Sequence, residues 1–574
     1  MRVKTSRADR KTLLAAAVLL SFPLTLVATD YVWTGGPSGE WNSSGSWSPS
    51  GVPTGGDTAT FKESATISSN ISLGSDASKS LTIVVQPDSD PGSDQTVKLS
   101  GVLSGSGGLV ARPMKVGSRR HILYLSSENS TFSGPVTADG SGMFKFERVY
   151  NQGQNSSLGT GSLVTLNNSD LIFRVNNICF SNRRFVLTAY GQFEVESGKY
   201  FSLNGELETT KVYSRWLGEW RIGPKLTSAV TQVQRTDDGT LTILNDENEF
   251  TVVPGCFRGS MKFNSVADSG VASSAGTANS FTLGSANDAS HAGLYFNRSN
   301  DRDSTTHRWI IVDCAEGATR TLGNIGADTT LTIAADVKIN HLKNVTFNIQ
   351  ADGDMVLGDM DTSNKNGLTG NYKYTTVHKK GLGECTQYGN LWGMERPVYV
   401  EAGRMNFMSE TGRFEPIHVS SGAVLGGTGN IEYCADIASG GAIAAGTSKT
   451  IGRLGFHWGG AAMPRVDLAD GAEIHVKVDP ATGACDLINA TGRPVNVAGK
   501  VKVRFTMLDG SKMRAGTYTF LNFGSLNGVN GYTVTADSFE VVGVPGRKVL
   551  GSVTIDGNSL KAFAAPPGMV LVVE

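Results

Sequence analysis

No two of the six cysteines stand close together. Cys179, Cys256, Cys314, Cys385, Cys434 and Cys485 lie tens of residues apart, so no C-x-x-C pair offers a zinc site. Proline is scarce, 18 of 574 residues, which excludes a Pro-rich disordered tract. Neither sign of charge is in excess: 51 basic residues face 52 acidic ones, for a net charge of −1. Nothing electrostatic calls for nucleic acid or anionic lipid as a partner. After residue 29 no run is apolar enough to cross a bilayer as a helix, and helical spacing is nearly absent. Catalytic signatures are missing as well. There is no G-x-S-x-G elbow, no phosphate-cradling G-x-x-x-x-G-K-[ST] and no H-E-x-x-H. The eight histidines, among them His121, His307, His378 and His457, show no paired spacing and are expected at the surface or in turns.

What the chain does have is glycine, 70 of 574 residues against a usual share of about 7%, together with many short apolar alternations. One phrase recurs three times: an alternating run, a polar run ending in Asn, then a second alternating run led by Gly. It spans residues 122–146, 241–263 and 386–407. In the first copy Asn129 precedes Gly142, Phe144 and Phe146; in the third, Asn390 precedes Gly403, Met405 and Phe407 at the same offsets. The middle copy is two residues shorter, with Asn248, Gly259, Met261 and Phe263. Short strands of period two, separated by Gly and Asn that tolerate positive φ, are the sequence signature of a solenoid. Residues two apart share a strand face, so Phe144 with Phe146, and Met405 with Phe407, are expected in the core.

The first residues are basic (Arg2, Lys4, Arg7, Arg10, Lys11). A mostly apolar run follows at 13–27, then small residues at Ala28 and Thr29. This reads as a secretory signal peptide rather than an uncleaved anchor, because the apolar run is short and holds Pro23. Trp33, Trp41 and Trp47 then punctuate a Gly/Ser/Pro-rich stretch. They are expected to cover the open end of a stacked core; a sugar-stacking platform is the alternative. Export permits disulfides, but a stack keeps distant residues apart. Buried free thiols are therefore favoured for the six cysteines.

Several motifs, taken in their order, resemble autotransporter-associated β-strand repeat proteins. They are the WTGG and Trp series after the signal, GSGGLV at 105–110, the Asn-led turns, and SSGAVLGGTGNI at 420–431. Residues 442–523, with AIAAG, RVDLADGAEIHVKV and RAGTYTFLNF, resemble the end of such a passenger. The resemblance implies an all-β, right-handed parallel β-helix of stacked short-strand coils. It also implies a partition into signal peptide (1–29), Trp-rich cap (30–62), repeat region (63–440), passenger-end-like region (441–565) and short tail (566–574). One departure stands out: too few residues follow Phe523 to form a membrane β-barrel.

The strongest candidate for chemistry is the acidic stretch holding Asp352, Asp354, Asp359 and Asp361. Alternating carboxylates can supply oxygens to calcium, but Asn364 and Gly370 stand where a calcium loop needs Gly and Glu. A lyase acting on acidic polysaccharide, resembling pectin lyases, would need these carboxylates beside Lys365, Lys379 or Lys380. A solvated turn is the favoured alternative. The sequence thus reads as an exported rod at the surface, in the periplasm or outside a Gram-negative-type bacterium, with a structural or adhesive role. No catalytic residue and no cofactor are expected. The expected partner is a cell-surface or extracellular polysaccharide or protein, and the mature chain is not expected to be an integral membrane protein.

Overall fold

The computed structural model describes residues 28–564, apart from 169, 189–191, 216, 299–301, 341–343, 360–366, 371–372, 390–394, 412–414, 458–463, 511–512 and 543–552. The proposed signal run, the tail at 566–574, Asn390, Asp361 and Lys365 lie outside the described residues.

The protein is all-β. Among the described residues helical geometry is confined to single turns at Gly36–Ser38, Ser44–Ser46 and Ala536–Ser538. Strands of mostly two to six residues assemble into long sheets of nine, thirteen, twenty and ten strands. Within these sheets the pairing is parallel almost throughout. Neighbouring strands are separated by about one phrase length: Ile122 pairs with Met143, Thr240 with Ser260, and Glu384 with Arg404. Parallel ladders between strands that follow one another so closely in the chain are compatible with a β-solenoid. Burial alternates along the strands, as in Thr58–Phe61 and Glu219–Ile222, and one contiguous core of Val, Ile, Leu, Phe and Ala runs from Trp41 to Ala564.

The three phrase copies each place two successive strands side by side, but on three different sheets. The first lies in the thirteen-stranded sheet, the second in the twenty-stranded, the third in the ten-stranded. What repeats is local stacking. Phe144, Phe146, Met261, Phe263, Met405 and Phe407 are all buried. Phe146 packs on Phe173 with ring centroids 4.5 Å apart. The leading glycines answer to close approach: Gly259 and Gly403 have φ of +71° and +61°, and a Cβ there would stand 2.2 and 2.5 Å from the carbonyl oxygens of Asp237 and Gly383. Asn248 is a buried staple. Its Oδ1 accepts from Leu226 N at 2.7 Å and its Nδ2 donates to Ser274 O at 3.1 Å. In the first copy Asn129 is exposed instead, and the buried Ser130 hydroxyl takes that role, accepting from Leu103 N at 3.1 Å.

A second duplication links residues 153–166 to 270–283. Ser-Ser-Leu-Gly-Thr at 156–160 and Ser-Ser-Ala-Gly-Thr at 273–277 adopt the same turn, with Gly159 and Gly276 at φ +65° and +66°. Each turn is fastened by a buried arginine from later in the chain. Arg183 donates to Leu158 O (2.9 Å) and Gly159 O (2.6 Å); Arg308 donates to Ala275 O (3.0 Å) and Gly276 O (3.2 Å). Burial pushes both guanidinium groups down to about 10.

The ends of the stack are closed. Trp41 and Trp47 are buried against Phe61, and their indole N–H groups donate to Pro53 O and Trp41 O. Trp33 is half-buried, packed edge-on against Trp47 with ring centroids 4.9 Å apart. Trp47–Ser48 pairs antiparallel at one end, and Ser559–Ala564 pairs antiparallel to Gly516–Gly528 at the other. All six cysteines are free, and all but the half-buried Cys485 are fully buried. Burial holds the thiols of Cys179, Cys256, Cys385 and Cys434 up at about 12, which keeps them protonated and unreactive.

Candidate functional site

Asp352 and Asp354 lie near enough to the buried Lys379 to favour its charged form, but each carboxylate is committed to a partner of its own. Asp352, in the turn after Val345–Ala351, accepts from Gln350 Nε2 at 2.6 Å. Asp354 opens strand Asp354–Leu357 and accepts from Glu384 N at 2.9 Å. Asp359 lies beside Tyr388 and contributes to raising that phenol. The two candidate bases sit on opposite faces of Thr375–Lys380. Lys379 is fully buried, its Nζ donating to the carbonyls of Lys380, Gly381 and Ala402 at 2.8–3.1 Å. Lys380 points outward, 3.9 Å from Glu401. Among the described residues no group of three or more His, Cys, Asp or Glu side chains is placed to hold a metal ion.

The histidines are not all surface or turn residues. His121 is fully buried, its Nδ1 accepting from Gln95 N at 3.0 Å, and burial favours its neutral form. His307 does lie outside, 2.9 Å from Asp268, and His457 is exposed. His378 belongs to a column that was not evident as a motif. On the outward face of the twenty-stranded sheet, His378, Tyr399, His418, Asp436, Asp467, Asn496 and Asn527 occupy partnered positions on consecutive neighbouring strands. The Tyr399 ring is stacked between His378 and His418, at 4.9 and 5.0 Å between centroids. His418 Nδ1 lies 3.1 Å from Asp436 Oδ2. Arg465 Nε donates to Asp467 Oδ2 at 2.7 Å, Asn496 Nδ2 to Asp467 Oδ1 at 2.6 Å, and Asn527 Nδ2 to Asn496 Oδ1 at 3.1 Å.

This rail forms one wall of a cleft of about 670 Å³. The floor is a second column just past the ends of the strands: Ser420, Ala438, Ala469 and Ala498, with Val529 beyond. The acid pair sets the electrostatics. Asp436 and Asp467 face one another across adjacent strands, and Asp436 Oδ1 is buried with no N–H or hydroxyl partner. Two carboxylates that close cannot both ionise cheaply. Burial first, then the hydrogen bond and charge of Asp467, push the Asp436 carboxyl up, against the opposing charges of His418 and Arg465.

Chemically the cleft offers alternating donors and acceptors along one edge, an apolar strip beneath, and little net charge. Its residues are 18 to 31 apart in the chain, one coil at a time, so no local spacing reveals them. The usable signal was the recurrence of a polar residue at one offset in successive outward strands: HVSS at 418–421, DIAS at 436–439, DLAD at 467–470 and NVAG at 496–499. No helix among the described residues is long and apolar enough to cross a membrane. No known protein-family profile and no curated protein sequence matches this chain.

Proposed function

We propose that the protein is an exported, right-handed parallel β-helix of the autotransporter-associated repeat type, acting as a rigid rod in a structural or adhesive role. The observation that supports this reading most is the run of fifteen parallel strands, from Cys179–Ser181 to Gly516–Gly528, within the twenty-stranded sheet. It keeps apolar columns inside and polar columns outside over hundreds of residues, so the outer faces are free to carry interactions while the core supplies stiffness. The partner class is a cell-surface or extracellular polysaccharide or protein. Fractionation of cells expressing the full chain tests it. The expected result is a mature protein beginning near Ala28 or Thr29, in the periplasm, the medium or a salt-releasable surface layer. Recovery only from detergent-extracted membranes, with Met1 retained, contradicts it.

A second reading, a β-helix enzyme acting on acidic polysaccharide, draws on the acid pair in the cleft. Its geometry weighs against that reading. Carboxyl groups that flank a glycosidic bond stand roughly 5–9.5 Å apart, whereas Asp436 and Asp467 sit directly opposite one another on adjacent strands, a spacing of about 4.8 Å, and two of their oxygens are tied to Arg465 and His418. Release of unsaturated or reducing ends from polygalacturonate, abolished in Asp467→Asn, would revive the enzyme.

A further inference from the structure

We propose that the cleft along His418, Asp436, Asp467 and Asn496 binds a linear, uncharged glycan chain. The inference rests on the reading of the protein as an interacting rod and names the partner class for one face of it.

Three features of the cleft carry the argument. The first is its two-sidedness. Ser420, Ala438, Ala469 and Ala498 give a flat strip of small groups, one per strand, and Ala438 and Ala498 are solvent-exposed. Parallel to it runs the rail of hydrogen-bonding groups. A pyranose ring has the same division, with C–H faces and hydroxyl edges, and an extended glycan advances by close to one strand spacing per ring, here about 4.8 Å. The second is mixed polarity. Asn496 offers both amide N–H and carbonyl, the unpartnered Asp436 Oδ1 and Asp467 offer carboxyl oxygens, and Arg465 and Ser420 add donors. Hydroxyl groups are both donors and acceptors and match such a sequence better than a ligand of one kind. The third is charge. Arg465 lies on Asp467 and His418 on Asp436, so the rail lacks the excess of either sign that would select an ionic chain.

The same facts disfavour other occupants. A peptide adding as a strand needs a free sheet edge, but here the strands run across the cleft and their backbone groups are paired within the parallel ladder. Hard cations such as calcium want six or more converging oxygens, and the cleft offers a single acid pair, three of whose four oxygens are already engaged.

The test is calorimetric titration of the full chain with linear hexasaccharides of glucose, of mannose and of N-acetylglucosamine. Oligogalacturonate and calcium chloride serve as charged comparators. At least one neutral hexasaccharide should bind. Ala438→Trp and Ala498→Trp, both solvent-facing, should each weaken it by at least about tenfold while the melting temperature stays the same. Asn496→Ala should weaken it less, and Lys502→Ala, exposed on the ten-stranded sheet, should leave it unchanged. No binding of any neutral hexasaccharide, binding indifferent to both Trp variants, or tighter binding of oligogalacturonate or calcium would each overturn the proposal. None of these outcomes alters the scattering or fractionation results on which the rod reading depends, so the two can fail separately.

Discussion

Residues 352–380 and residues 418–496 hold similar side chains and reach opposite outcomes. The first region packs Asp352, Asp354, Lys379 and Lys380 close together in sequence, and the fold sends them to separate partners. The second spreads His418, Asp436, Asp467 and Asn496 one coil apart, and the fold lines them up along one cleft. In a stack of parallel strands, proximity in sequence mostly means alternation between faces, whereas a fixed offset from coil to coil means contact. Local acidity is a poor guide to a site in such a chain.

The largest test of that rule is in the interior. Phe146 continues an inward column, partnered with Leu125 on one side and Val175 on the other. Phe146→Ala should cost about 3–5 kcal/mol by loss of burial and the cavity left behind, read from denaturant unfolding. An unchanged midpoint would mean that the columns are wrongly assigned.

Next comes the sharpest contrast between neighbours. Lys379→Ala should cost roughly 2–3 kcal/mol, because three buried carbonyls lose their donor. Lys380→Ala, on the outer face, should stay within about 0.5 kcal/mol of the parent. Equal effects at the two positions would break the comparison.

A smaller effect probes the acid pair. The folded-state affinity of Asp436 for its proton is raised by burial and by Asp467, against His418 and Arg465; the buried Cys434 thiol also lies near. A carboxyl raised on folding favours the folded state at low pH, and that contribution is lost as pH climbs from the ordinary carboxylate value through the raised one. Asp436→Asn cannot ionise and avoids the loss. The variant should therefore gain stability relative to the parent between pH 4 and pH 7, by roughly half a kcal/mol or less at this exposure. Urea unfolding at the two pH values checks it; a variant that loses ground as pH rises would contradict the raised carboxyl.

Much of the fold was legible because apolar alternation, glycine and asparagine act locally. The strands around Phe144, Met261 and Met405, and the need for Gly259 and Gly403, follow from positions a few residues apart. The buried arginines were not legible. Arg183 and Arg308 are polar residues at inward positions, and only the carbonyls of turns 24 to 33 residues earlier explain them. His121 was missed for the same reason, its partner being the backbone of Gln95. The candidate site was illegible as a motif because its residues meet through register, which a linear scan for spaced acids and bases does not follow.

Small-angle X-ray scattering of the purified protein tests the central claim most directly. Six strands from Asp30–Trp33 to Leu163–Leu166 stack in parallel before the level that holds both Cys179–Ser181 and Arg184–Leu187, and fifteen from Cys179–Ser181 to Gly516–Gly528 continue the stack; spaced about 4.8 Å apart, they require a particle at least about 90 Å long. The account predicts a maximum dimension of that size or more, with a rod-like cross-section. A radius of gyration near the roughly 24 Å of a compact chain of this length would contradict it.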